Sequence, residues 1–216
     1  FLVQIALIGL ASKEEYGAYS LLMSYVLAGL AALSATFGAP LITSTSALGA
    51  ARRTAALALA TRWHLGLVLV LAGAGGLVAA LVPTGFPASD VQATLAAFLG
   101  LALRDIQRVN WTIELQLARA LASSLTFALV TVAILVVMHF TIGGMSSRSA
   151  LAAIALAAIA TVAAPLVRRC TLSGEGGRDA VVEAATHARW TLPGVAVIWL
   201  QNNFYLTVLT LMAGLA

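Results

Sequence analysis

Long stretches without one charged side chain decide what this chain can become. Uncharged runs cover 1–12, 16–51, 63–87, 91–103, 120–147, 150–167 and 190–216. A helix rises about 1.5 Å per residue, so roughly 20 apolar residues cross a hydrocarbon core about 30 Å thick. The runs predict an all-α, polytopic transmembrane helix bundle of about seven spans. The first run is too short to cross and begins without Met, and the last stops with no polar cap. Both end spans are therefore expected to be truncated. The run at 91–103 reaches full length as a helix to about Asn110 if Arg104 and Arg108 occupy its last two turns, where long side chains reach the headgroups. Gly38 and Pro40 predict a bend in the second run before the polar Thr43-Ser44-Thr45-Ser46.

Composition excludes the soluble alternative. With 61% hydrophobic and 9% charged residues, the chain cannot cover a globule with a polar shell. The net charge of +4 would suggest nucleic acid in a soluble protein, but loop positions explain it. Short loops make consecutive helices antiparallel, so alternate loops share a side. Ten cations fall in loops 2/3, 4/5 and 6/7, and only Lys13 and Arg148 in the others. The excess marks the cytoplasmic side and predicts a cytoplasmic amino terminus. Trp63, Trp111 and Trp190 fall at the same ends, where indole rings suit the headgroup layer. Nucleic acid is not needed as a partner. Eleven of the twelve cations are Arg, and with much Ala and Gly this suggests a GC-rich bacterial gene. The longest polar stretch, 168–189, reads as a flexible cytoplasmic linker, after a bundle over 1–167 and before a further helix at 190–216.

Chemistry-bearing residues are few. His64 and His187 fall near one predicted interface and His139 near the other, so they read as interfacial polar groups. No Asp or Glu lies at mid-membrane, which leaves no paired-carboxylate mechanism and points away from an enzyme. The single Cys170 forms no internal disulfide, and no metal or other cofactor is expected. The densest polar group inside a span is Gln201, Asn202 and Asn203, followed by Tyr205 and Thr207. Amides at that depth need a partner helix or a wet cavity, and both explanations stand. Gln4 and Thr36 are weaker members of the set. Arg104 and Arg108, four apart, share a face where paired guanidinium donors suit a pyrophosphate arriving from the cytoplasm. The plainer reading is that they snorkel to lipid headgroups.

At Ala11-Ser12-Lys13-Glu14-Glu15-Tyr16-Gly17-Ala18-Tyr19-Ser20 the chain resembles the first outer loop of polysaccharide flippases, which carry a similar Glu-x-Tyr-Gly-x-Tyr-Ser pattern. These belong to the multidrug/oligosaccharidyl-lipid/polysaccharide exporter superfamily. The resemblance implies two six-helix bundles around a cavity that opens alternately to either side, of which 1–167 would be the amino-terminal one. It implies a multi-pass protein of the bacterial inner membrane that moves a lipid-pyrophosphate-linked oligosaccharide to the outer leaflet. Membrane lipids and polysaccharide-assembly membrane proteins are the further partners it suggests. Many relatives carry a charged residue in span seven where this chain has Gln201-Asn202-Asn203, which puts acid-driven coupling there in doubt. An internal echo at offset 205, with Val3/Val208, Gly9/Gly214, Leu10/Leu215 and Ala11/Ala216 matching, predicts a second half beyond Ala216. The alternatives are an exporter of small amphiphiles from the same superfamily, an integral-membrane glycosyltransferase or ligase, and a noncatalytic scaffold.

Overall fold

The computed structural model describes the backbone of residues 2–81 and 85–212, with all side chains among them except those of Leu2, Ile142 and 202–212. Every regular element among the described residues is helical: α1 (Leu2–Leu10), α2 (Lys13–Leu33), a turn of π-helix (Ser34–Gly38), α3 (Ala39–Thr45), α4 (Ala50–Leu81), α5 (Ala88–Ile113), α6 (Leu117–Ile142), α7 (Ser147–Cys170) and α8 (Arg178–Met212). Helix α2, the π turn and α3 run on as one 33-residue rod. This rod, α4, α6 and α7 make four helices long and apolar enough to cross a membrane. The chain is a helical membrane protein. Along α6 the exposed side chains include Leu121, Leu125, Leu129, Val132, Val136, Val137 and Phe140, a wall unsuited to water and suited to acyl chains.

Helix α5 has 26 residues but is not among the four, because it carries Asp90, Gln92, Arg104, Asp105, Gln107, Arg108 and Asn110. Its place in the bundle resolves the conflict. It touches α2, α4, α6 and α7, so protein rather than lipid covers most of its polar groups. The contact with α7 is close because both helices present small residues. A Cβ added to Gly100 would lie 2.9 Å from the Ala155 carbonyl oxygen and 3.2 Å from the Ala158 Cβ. Ala97, Ala102, Ala153, Ala157 and Ala158 are all buried, and this small-residue seam substitutes for the missing hydrophobic drive between helices in lipid.

The two ends of the bundle are held differently. At one end the Ser12 hydroxyl caps α2 by accepting from the Glu15 amide at 3.2 Å. Glu15 in turn accepts from the backbone N–H of Ser147 at 2.6 Å, placing a carboxylate at the positive N-terminus of α7. The Ser147 hydroxyl donates to Asp90 at 3.1 Å, so α2, α5 and α7 all begin here. At the other end Arg169 donates through both Nη atoms to the two Glu114 oxygens at 2.7 Å, joining α7 to α5. Helices α5 and α7 are therefore parallel, and α6 returns between them. By chain direction Lys13 and Arg148 belong to the Glu15 end and the other ten cations lie toward the Glu114 end.

Where Gly38 and Pro40 predict a bend, the structure has the π turn. Pro40 has no N–H for the Thr36 carbonyl, and its ring crowds that carbonyl, so the regular ladder cannot continue. Two neighbouring carbonyls gain side-chain donors: the Thr36 hydroxyl bonds to Ala32 O at 2.9 Å, and Thr191 from α8 bonds to Ala35 O at 2.8 Å.

The stretch expected to be a flexible linker over 168–189 is mostly ordered helix. α7 continues to Cys170 and α8 begins at Arg178, leaving only 171–177 irregular. The reason is an amphipathic face: Ala180, Val181, Ala184 and Ala188 are buried, the first three packing on Leu41, Ala56, Leu57, Ala60 and Ile113.

Candidate functional site

Helix α5 presents Gln107, Asn110, Trp111 and Glu114 at the spacing of one helical face. Asn110 is fully buried and donates to the Thr61 hydroxyl of α4 at 3.0 Å, which itself donates to the Leu57 carbonyl at 2.7 Å. One turn along α4, His64 is buried with its Nε2 3.1 Å from the Ala102 carbonyl. A carbonyl only accepts, so Nε2 carries the proton and Nδ1 is the bare nitrogen. His64, read from the sequence as an interfacial polar group, points into the helix packing with its ring edge against Phe37, centroids 5.5 Å apart.

This polar seam is incompletely satisfied. The Asn110 Oδ1, the Gln107 Oε1 and the His64 Nδ1 are buried without a hydrogen-bond partner. Each such group costs about 1–3 kcal/mol, which makes the region a candidate for holding a polar ligand or water.

Beside Gln107 the packing opens. A cavity of about 550 Å³ lies between the C-terminal parts of α5 and α7, with Gln107, Trp111, Glu114, Arg119, Arg168 and Arg169 on its walls. Ala164 and Pro165 of α7 also line it, and such short side chains leave the gap unfilled. Arg169 is committed to Glu114, and Arg119 donates one Nη to Gln116 at 2.8 Å. The Arg168 guanidinium is exposed and has no protein partner among the described residues. Three arginines against one carboxylate leave the cavity a net double positive charge.

The turn after α5 aims these groups. Leu115 adopts φ 57°, the left-handed conformation that glycine usually supplies, and Gln116 N–H closes back to Trp111 O at 2.8 Å. This sets Gln116 on the cavity wall. A β-carbon in that conformation costs about 1–2 kcal/mol, and Leu115 is 79% exposed, so little packing offsets it. Leu115→Gly is expected to raise stability by roughly 0.5–1 kcal/mol after the entropy of glycine is counted. Unfolding in detergent measures it; a stability loss would mean that the turn stores no strain.

Of the residues singled out in the sequence, Arg104 is turned toward α6. Its Nη2 donates to Ser124 at 3.1 Å and its guanidinium sits 4.2 Å above the Phe127 ring. Arg108 is exposed. The two therefore face different surroundings and form no single fork. Gln201 is exposed on α8, while the side chains of Asn202, Asn203 and Tyr205 lie outside the described residues. Helix α8 packs on α2, α3, α4 and the π turn, with Trp199 Nε1 donating to Ser24 O at 3.2 Å. The structure does not bring Gln201 together with Arg104. Gln107, Asn110 and the Arg168-Arg169 pair were not singled out as a site, although the 107, 110, 111, 114 spacing was there to be read. Compared with protein-family models, with curated proteins and with solved structures, the chain shows no match.

Proposed function

We propose that this chain is part of a multi-pass transporter that carries a lipid-linked oligosaccharide or polysaccharide precursor from the cytoplasmic to the outer leaflet by alternating access. The observation that carries this reading is the asymmetry of the two ends. Glu15, Asp90 and Ser147 tie α2, α5 and α7 together at one end, while the arginine-rich end holds a polar cavity of about 550 Å³. A bundle tied together at one end and opening into a polar cavity at the other suits an inward-facing half of such a transporter. The motif at 11–20 adds support, since its Glu15 and buried Tyr19 are parts of the tied end. In this reading the helices from α1 to α7, with the rod counted once, form one six-helix bundle and α8 is the first helix of a second. The Arg-rich end faces the cytoplasm of a bacterium, the amino terminus included, by the distribution of cations. The cargo approaches from the arginine side, where guanidinium groups match its pyrophosphate.

Reconstitution of the full-length native protein into vesicles tests this. A labelled polyprenyl-pyrophosphate oligosaccharide is expected to become accessible to an impermeant glycosidase on the opposite face several-fold faster than in protein-free vesicles. Equal rates with correctly inserted protein would overturn the assignment.

A further inference from the structure

We propose that the cavity between α5 and α7 binds a phosphate ester that also bears a hydroxyl group. The inference does not need the transport reading and stands on the cavity alone. Arg168 supplies an unpaired guanidinium and Arg119 keeps donors beyond the one given to Gln116, while Arg169 neutralises Glu114 so that the one carboxylate on the wall does not repel an anion. Guanidinium forks match phosphate oxygens in pairs. The second requirement comes from Gln107. It is 1% exposed, lines the cavity, and its amide oxygen accepts from nothing in the protein. A side-chain amide on the wall beside a pair of cations suits a ligand that offers both an anion and a hydroxyl, which can accept from the amide N–H as well as donate to its oxygen. Trp111 supplies a flat apolar wall, the surface on which the carbon face of a polyol or sugar packs.

Two sources carry this chemistry: the glycerol phosphate headgroup of an anionic lipid, entering from the bilayer, and a free phosphorylated polyol entering from water. The probes are phosphatidylglycerol and sn-glycerol 3-phosphate, tested on the full-length native protein purified in a neutral detergent. Native mass spectrometry counts retained phosphatidylglycerol against phosphatidylmethanol, an anionic lipid without the headgroup hydroxyls, and calorimetry follows glycerol 3-phosphate against methyl phosphate. We expect preferential binding of at least one of the two probes. Binding of the lipid alone assigns the site to a headgroup, and binding of the soluble ester assigns it to a free ligand. Arg119→Gln with Arg168→Gln changes two exposed side chains that hold no helix pair, so folding is preserved, and the affinity is expected to fall at least about tenfold. Gln107→Leu is expected to keep phosphate binding but to lose the preference for the hydroxyl-bearing probe. The matched pair Arg52→Gln and Arg178→Gln, exposed arginines elsewhere at the same end, is expected to change nothing. No preferential binding of either probe, or an equal loss in the Arg52/Arg178 variant, overturns the proposal. So does a Gln107→Leu protein with unaltered preference.

Discussion

Arg169→Ala is expected to unfold the bundle more readily than any surface change. Glu114 would be left largely buried with both oxygens stripped of their donors, and removing one partner of such a pair costs roughly 3–5 kcal/mol. The pair is also the only ionic tie between α5 and α7 at that end among the described residues. The double variant Arg169→Met, Glu114→Leu separates charge from shape: it removes both ions, and its stability is expected to return to within about 1–2 kcal/mol of the parent. Chemical unfolding in detergent micelles reads both. If Arg169→Ala were as stable as the parent, the pair would not secure the helices.

The second large effect concerns the seam at Gly100. Even a methyl group there approaches the Ala155 carbonyl oxygen to 2.9 Å, and backbone cannot step aside as a side chain would. Gly100→Leu is expected to force α5 and α7 apart at a cost of about 3 kcal/mol, the upper range for overpacking. Separating them also widens the cavity further along the same two helices. A compensating Ala158→Gly would recover only part, because the carbonyl contact remains. Thermal unfolding of the purified protein measures the change; a Gly100→Leu midpoint equal to that of the parent would mean the helices are not in contact at this position.

Both effects involve features of different legibility. The uncharged runs located the helices because lipid tolerates few charges, and each long run corresponds to a helical stretch. Using charge as a boundary fails where a helix leaves the apolar layer. Arg178, Asp179 and Glu183 hid the start of α8, whose Ala and Val positions pack on α3 and α4 whatever the exposed face carries. The burial of His64 was hidden on similar grounds, because closeness to an arginine in the sequence does not say which face of the 32-residue α4 meets Phe37 and Ala102. Within α5, Arg104 and Arg108 share a face by periodicity, yet Ser124 and Phe127 capture only the first. Which neighbour supplies a hydroxyl and a ring is a property of tertiary packing, and the spacing of the two arginines carries no trace of it. The pairing of Arg169 with Glu114 crosses 55 residues and is equally invisible to local pattern.

The π turn at Ser34–Gly38 has a consequence for how the rod meets its neighbours. Each residue of an α-helix advances the azimuth by roughly 100°, so one residue too many in a turn rotates everything downstream by about that angle. On α2 the buried positions include Leu22, Val26 and Leu33; beyond the turn they are Pro40, Leu41 and Thr45. The rod thus presents one buried stripe to α5 and a second, re-phased stripe to α8, with the Thr191 hydroxyl marking the changeover at Ala35. A single-residue indel in this turn would act as a frameshift of faces, leaving composition and length almost untouched while delivering the wrong side of the helix to α8.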